Sequence, residues 1–145
     1  MNAEVPPIDA PVQLSASHCR LSLDAVPHAL AVVRRIVRAQ LRAWEVEDLA
    51  RPAAMGVTEL LSNVHKHAKS PECVLTLRRI TGGIRVSVSD KEPELPVVRE
   101  PDFLSESGRG MFLLSKTAHA WGAIPAPEGA PGKEVWFVLK SEVDG

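Results

Sequence analysis

Val57-Thr58-Glu59-Leu60-Leu61-Ser62-Asn63-Val64-His65-Lys66-His67-Ala68 is the stretch on which the reading of this chain turns. No Gly or Pro falls between Val57 and Ser70, so nothing interrupts a helix there. Val57, Leu60, Leu61, Val64 and Ala68 recur at helical spacing and mark a face that seeks a core. Glu59 and Asn63 are four apart and stand one above the other on a single stripe. Lys66 and His67 extend that stripe by a further turn. A carboxylate, an amide and a cation in line beside an apolar face suit a solvated helix surface or the floor of a binding site. The segment alone does not choose between them.

Upstream, the helix that carries this stretch starts near Glu47, with a re-start near Pro52, and runs to about Lys69, where Ser70-Pro71 stops it. A preceding helix is predicted from Asp24 as N-cap, with Pro27 in its first turn, to Trp44. Val26, Leu30, Val33, Ile36, Val37, Leu41 and Trp44 form its inner face. Arg34, Arg35, Arg38 and Arg42 form its other side, as a solvated surface or as a dock for an acidic partner. A short strand is expected over Cys19 to Leu23. Residues 1–17, broken by Pro6, Pro7 and Pro11, read as a flexible tail.

Downstream comes a hairpin. Cys73 to Ile80 is strand-like, Gly82-Gly83 is a turn signal, and Ile84, Val86 and Val88 alternate with Arg85, Ser87 and Ser89 up to Asp90. One apolar and one polar face indicate a sheet covered on one side only. Residues 91–107, with three prolines and five acidic residues, read as a long functional loop. It ends in Ser107-Gly108-Arg109-Gly110-Met111, after which Met111, Leu114 and Ala118 mark a helix finishing near Trp121-Gly122. Ala123 to Gly132 reads as a loop and Val135 to Leu139 as the last strand.

Composition narrows the classes. The 145 residues suit one domain, expected over 18–141, with 45% apolar and 24% charged residues. A net charge of −1 gives no electrostatic reason for direct nucleic acid or membrane binding. No apolar run approaches the roughly 18 residues of a membrane span, and no signal peptide is evident. Cys19 and Cys73 are read as free thiols of a cytoplasmic protein.

Three features then stand in order: the Glu59/Asn63/Lys66 stripe, Asp90 where a strand ends, and Gly108-Arg109-Gly110 opening a helix. A glycine-rich turn into a helix N-terminus offers N–H donors that suit phosphate. Each alone is weak; glycines usually serve turns, and Asp often ends strands. Together they resemble the GHKL ATPases, the superfamily with the Bergerat nucleotide-binding fold. Thr58 to Ala68 looks like the N-box, Val86 to Asp90 like the start of the first glycine box, and Gly108 to Leu113 like the second. Gly132-Lys133-Glu134-Val135-Trp136-Phe137 resembles the closing strand. The resemblance is strongest to stand-alone anti-sigma factor serine/threonine kinases of the RsbW type.

That resemblance implies an α+β fold: a two-layer α/β sandwich whose mixed, mostly antiparallel sheet is covered on one face by about three helices. It implies ATP and Mg²⁺ as cofactors. Asn63 would ligate Mg²⁺, Glu59 would be the catalytic base, and Asp90 would accept a hydrogen bond from the adenine amino group. Lys66, His67, Gly108, Arg109, Gly110 and Met111 would complete the ATP site, with 91–107 as its lid. The implied partners are a sigma factor and an anti-anti-sigma (STAS-domain) protein, which the chain would phosphorylate; such proteins also form homodimers. The superfamily's usual Gly two residues after the adenine Asp is Glu92 here, which supports a second reading: a binding module that sequesters a partner with little or no catalysis. The catalytic part of a histidine kinase is disfavoured, because His65 and His67 lie inside the nucleotide helix rather than on a dimerising helical domain.

Overall fold

The computed structural model describes residues 12–14, 17–92, 117–126 and 132–141. Among these residues six strands form one sheet: β1 Val12–Leu14, β2 His18–Asp24, β3 Glu72–Ile80, β4 Gly83–Asp90, β5 Ala120–Pro125 and β6 Lys133–Lys140. Their order is β1-β2-β3-β4-β6-β5, and every pairing is antiparallel. Helices α1 (Pro27–Ala43) and α2 (Ala50–His67) cover one face, joined by a 3-10 turn at Glu47–Leu49. This is the expected two-layer α+β sandwich. The third expected helix, from Met111 to Trp121-Gly122, lies outside the described residues up to residue 116.

Strand alternation makes the layers adhere. Leu75 and Leu77 of β3, Ile84, Val86 and Val88 of β4, and Val135, Phe137 and Leu139 of β6 all point to the helix side and are buried. Val33, Val37 and Leu41 of α1 and Val57, Leu60, Leu61 and Val64 of α2 meet them. The opposite face is more polar, yet Ser87 at its centre is only 3% exposed. Its cross-strand partner is Trp136, whose ring also receives the Arg85 guanidinium at 5.1 Å.

The structure corrects several boundaries. Asp24 ends β2 instead of capping α1; the N-cap is Val26, with Pro27 in the first turn and no side-chain cap. Pro27 lacks the N–H that a cap would satisfy, so an Asp cap has less to offer. The hairpin turn is Thr81-Gly82, with Gly82 at φ 73°, and Gly83 already belongs to β4. Gly83 must be small for another reason, since a Cβ there would overlap the Leu139 carbonyl. Most consequentially, Trp121-Gly122 is not a helix end. Residues 120–125 form edge strand β5 on β6, with Trp121 and Ala123 packed against the core.

Two positions test this packing. Helix α1 ends in a Schellman motif: Val46 N–H donates to the Leu41 carbonyl at 2.9 Å and Glu45 N–H to that of Arg42 at 3.0 Å. The left-handed residue is Glu45, at φ 61°, where glycine is at ease. Glu45→Gly is therefore expected to gain up to about 1 kcal/mol, read from the urea midpoint. Gly56 sits where α2 presses on β6, and a Cβ would come within 2.5 Å of Phe137 Cζ. The buried ring has little room to yield, so overpacking should outweigh the better helix propensity of alanine. Gly56→Ala is expected to lose about 1 kcal/mol, and less in a Phe137→Leu background.

Candidate functional site

Helix α2 carries the polar stripe beside its buried face. Glu59 and Asn63 are half-buried, whereas Lys66 and His67 are exposed in the last turn. One residue earlier, Thr58 Oγ1 accepts a hydrogen bond from Arg34 Nη1 at 3.2 Å, tying α1 to the turn of α2 that bears Glu59. Of the arginines considered as a dock, Arg34 thus has a structural role and Arg42 pairs with Glu47 at 3.2 Å. Arg35 and Arg38 are exposed. Partial burial raises the Glu59 pKa from its ordinary value, an effect that the charges of Lys66 and His67 oppose. The structure therefore places Glu59, Lys66 and His67 within one electrostatic neighbourhood. A carboxylate held more basic than usual, one helical turn from an asparagine, can take a proton and can offer an oxygen ligand to a hard cation.

The second group lies at one end of the sheet. Pro125, Lys133, Asp90 and Cys73 stand in register across β5, β6, β4 and β3. Asp90 follows Ile84, Val86 and Val88 on the helix side, and its side chain is only 2% exposed. Its carboxylate is not left bare. Lys133 Nζ donates to Oδ1 and Oδ2 at 3.0 Å each, and to the Glu92 carbonyl at 3.1 Å. The Glu92 N–H adds a bond to Oδ1 at 2.8 Å. Gly132 makes room for this arrangement, at φ 102° and so close to Asp90 that a Cβ would overlap its carbonyl oxygen. Beyond the pair, Lys91 binds Glu72 at 2.6 Å on the surface. A groove of about 570 Å³ opens at these strand ends, lined by Ser22, Asp24, Cys73, Asp90 and Lys91 among others. Burial, then the charges of Asp90 and Asp24, pushes the Cys73 thiol up to about 12, which leaves it unreactive.

The residues expected from sequence thus fall into three sets. Glu59, Asn63, Lys66 and His67 share a stretch of α2, as their spacing implied. Asp90 ends β4, buried and facing the helices. Gly108, Arg109, Gly110 and Met111 lie outside the described residues, as does the 91–107 loop beyond Glu92. The residue that sequence reasoning overlooked is Lys133. Counting from the Phe137–Val86 pair would have found it, because the register that buries both of these sets Lys133 opposite Asp90.

The comparisons with known proteins bear on the family and the fold. The model of the histidine kinase-like ATPase domain family matches residues 23–139. The chain belongs to that family. Among solved structures it is similar to the RsbU and RsbW domains of Rv1364c from Mycobacterium tuberculosis, with a TM-score of 0.57 and 19% identity. That alignment covers 85% of this chain and 31% of the other, so the chain spans about a third of the protein it resembles. At this identity the likeness is one of fold. No curated protein matches the sequence. Among the described residues, no helix is long and apolar enough to cross a membrane.

The raised pKa of Glu59 has a consequence that can be measured. A folded-state pKa above the unfolded one means that the native state binds this proton more tightly. Relative to a neutral residue, Glu59 then costs stability at neutral pH, and the cost disappears as pH falls through its folded pKa. Glu59→Gln is expected to raise the melting temperature at pH 7, with the gain shrinking toward zero in acid. A gain that is constant with pH would contradict the burial of this carboxylate.

Proposed function

We propose that the chain is an ATP-binding protein serine/threonine kinase with an anti-sigma role, using α2 as the floor of a Mg·ATP site. The observation that carries this reading is the Glu59/Asn63 pair, half-buried on one stripe of α2 in a chain of the histidine kinase-like ATPase family. The donor set fits the group. Among the described residues no three His, Cys, Asp or Glu side chains are grouped to hold a metal by themselves. Mg²⁺ needs no such cluster; it favours oxygen ligands, keeps several waters and is completed by substrate phosphates. The Asn63 amide oxygen would supply the protein's share, with Lys66 near enough in sequence to offset phosphate charge and His67 beside it.

When bound, ATP supplies the phosphoryl group and Mg²⁺ neutralises its charge. Glu59 would accept the proton from a partner's Ser or Thr hydroxyl as that oxygen bonds to the γ-phosphorus and the β–γ bridging oxygen leaves with ADP. Its raised pKa favours that step, since a more basic carboxylate holds the proton better. Gly108, Arg109, Gly110 and Met111 would close over the phosphates. In this reading the substrate is an anti-anti-sigma (STAS-domain) protein and the sequestered partner a sigma factor, which the fold-level likeness to an RsbW domain supports.

A second reading is favoured by one observation, the engagement of Asp90 by Lys133. An adenine-reading carboxylate that is already paired suits a binding module with weak nucleotide dependence. Titration separates the two. Glu59→Gln is expected to keep ATP binding and lose phosphoryl transfer to a STAS partner by at least about 100-fold. Asn63→Ala is expected to lose the Mg²⁺-dependent part of ATP binding. Full transfer by both variants would refute the assignment, and an unaltered chain that binds no ATP leaves the binding module.

A further inference from the structure

We propose that Lys133 gates the base subsite: it holds Asp90 so that an adenine amino group is read only once the ammonium leaves the carboxylate. This rests on the ATP-site reading above and adds a specificity-determining residue to it. An ammonium has three protons, and all three of Lys133 are used, on Asp90 Oδ1, Asp90 Oδ2 and the Glu92 carbonyl. Asp90 Oδ1 is filled by Lys133 and the Glu92 N–H. Among the described residues Oδ2 has one partner, a cation 3.0 Å away that already satisfies most of its charge. The pair is sheltered, with side-chain exposures of 10% for Lys133 and 2% for Asp90, so water screens it little.

Two consequences follow for a bound base. First, adenine must compete with a charge-assisted contact, and such contacts are about twice as strong as neutral ones. Affinity for ATP is reduced accordingly. Second, the base-reading group is an ion pair instead of a bare acceptor. Guanine presents a carbonyl where adenine has its amino group, and a Lys133 ammonium turned toward it can donate. Rejection of GTP is therefore weak. A bare carboxylate would reject guanine through two facing acceptors, one left unpaired. Gly132 belongs to the device, since its φ of 102° and its contact with Asp90 bring the lysine to the carboxylate.

The test uses the full chain, MgATP and MgGTP. The wild type is expected to bind both with affinities within about fivefold. Lys133→Gln keeps one donor for Asp90 without the charge, and Lys133→Met removes both. Lys133→Gln is expected to raise ATP affinity and the ATP-to-GTP ratio by about tenfold each, the worth of one charged hydrogen bond. Because Lys133→Met leaves Asp90 buried and unpaired, a wild-type measurement accompanies it. ¹⁵N spectra of the lysine ammonium groups should show one slowly exchanging signal that disappears as MgATP saturates the protein. Folded variants with unchanged or weaker ATP binding overturn the gate and leave the nucleotide site standing. So does a protected ammonium signal that persists at ATP saturation. Absence of ATP binding by both the wild type and folded Lys133→Gln overturns the nucleotide reading itself, and the gate with it.

Discussion

A carboxylate buried in the apolar layer between sheet and helices is the constraint that orders one end of this molecule. Removing a charge from water costs several kcal/mol unless a partner and hydrogen bonds answer it, and Asp90 has both. The answer depends on strand register. Lys133 faces Asp90 because Val135, Phe137 and Leu139 share its face of β6 and sit opposite Val88, Val86 and Ile84. A slip of one residue would turn the apolar residues to the other face and bring Glu134 toward Asp90. Hydrophobic burial and electrostatics thus select the same pairing, and Gly132 supplies the one backbone conformation that lets β6 start there.

The helix layer is fixed by a different device. Gly56 gives up helix propensity so that the Phe137 ring can lie against α2. That close approach sets the depth of the helix, and depth determines the environment of Glu59 three residues on. A shallower helix would leave Glu59 fully wet with an ordinary pKa; here it is half-buried and raised. Glu59 and Asp90 are handled in opposite ways. Among the described residues one has no close ion pair and becomes more basic, while the other is neutralised by a lysine at hydrogen-bond distance.

Most of this fold was legible because strong periodicity marks it. The α2 stretch and the Ile84–Val86–Val88 alternation specify a helix and a strand with little ambiguity, and both are found. Trp121-Gly122 misled because Met111, Leu114 and Ala118 suggested a helix that would continue into it. The pull of edge pairing with β6 is tertiary and leaves no local signal in Ala120–Pro125. Asp24 looked like a cap from residue type alone, although β2 keeps it in register with Glu72. In the site, the polar stripe on α2 was readable since spacing alone places it. The Asp90–Lys133 pair was not, because 43 residues separate its members and only strand order joins them.

How a gate at Lys133 could move follows from what holds its backbone. The strand residue is paired on both sides, to Asp90 on β4 and to Pro125 on β5, and Gly132 just before it accepts a hydrogen bond from Ala126 N–H at 2.9 Å. Opening therefore cannot draw on the sheet, which would lose ladder hydrogen bonds on two sides. It must come from the four-carbon stem of the lysine, whose rotamers interconvert quickly once the ammonium is free. The barrier then lies in breaking three hydrogen bonds at a nearly dry site. A base that enters has to replace those bonds as it arrives, and so the affinity of the site is set by a contest between two donors for one carboxylate.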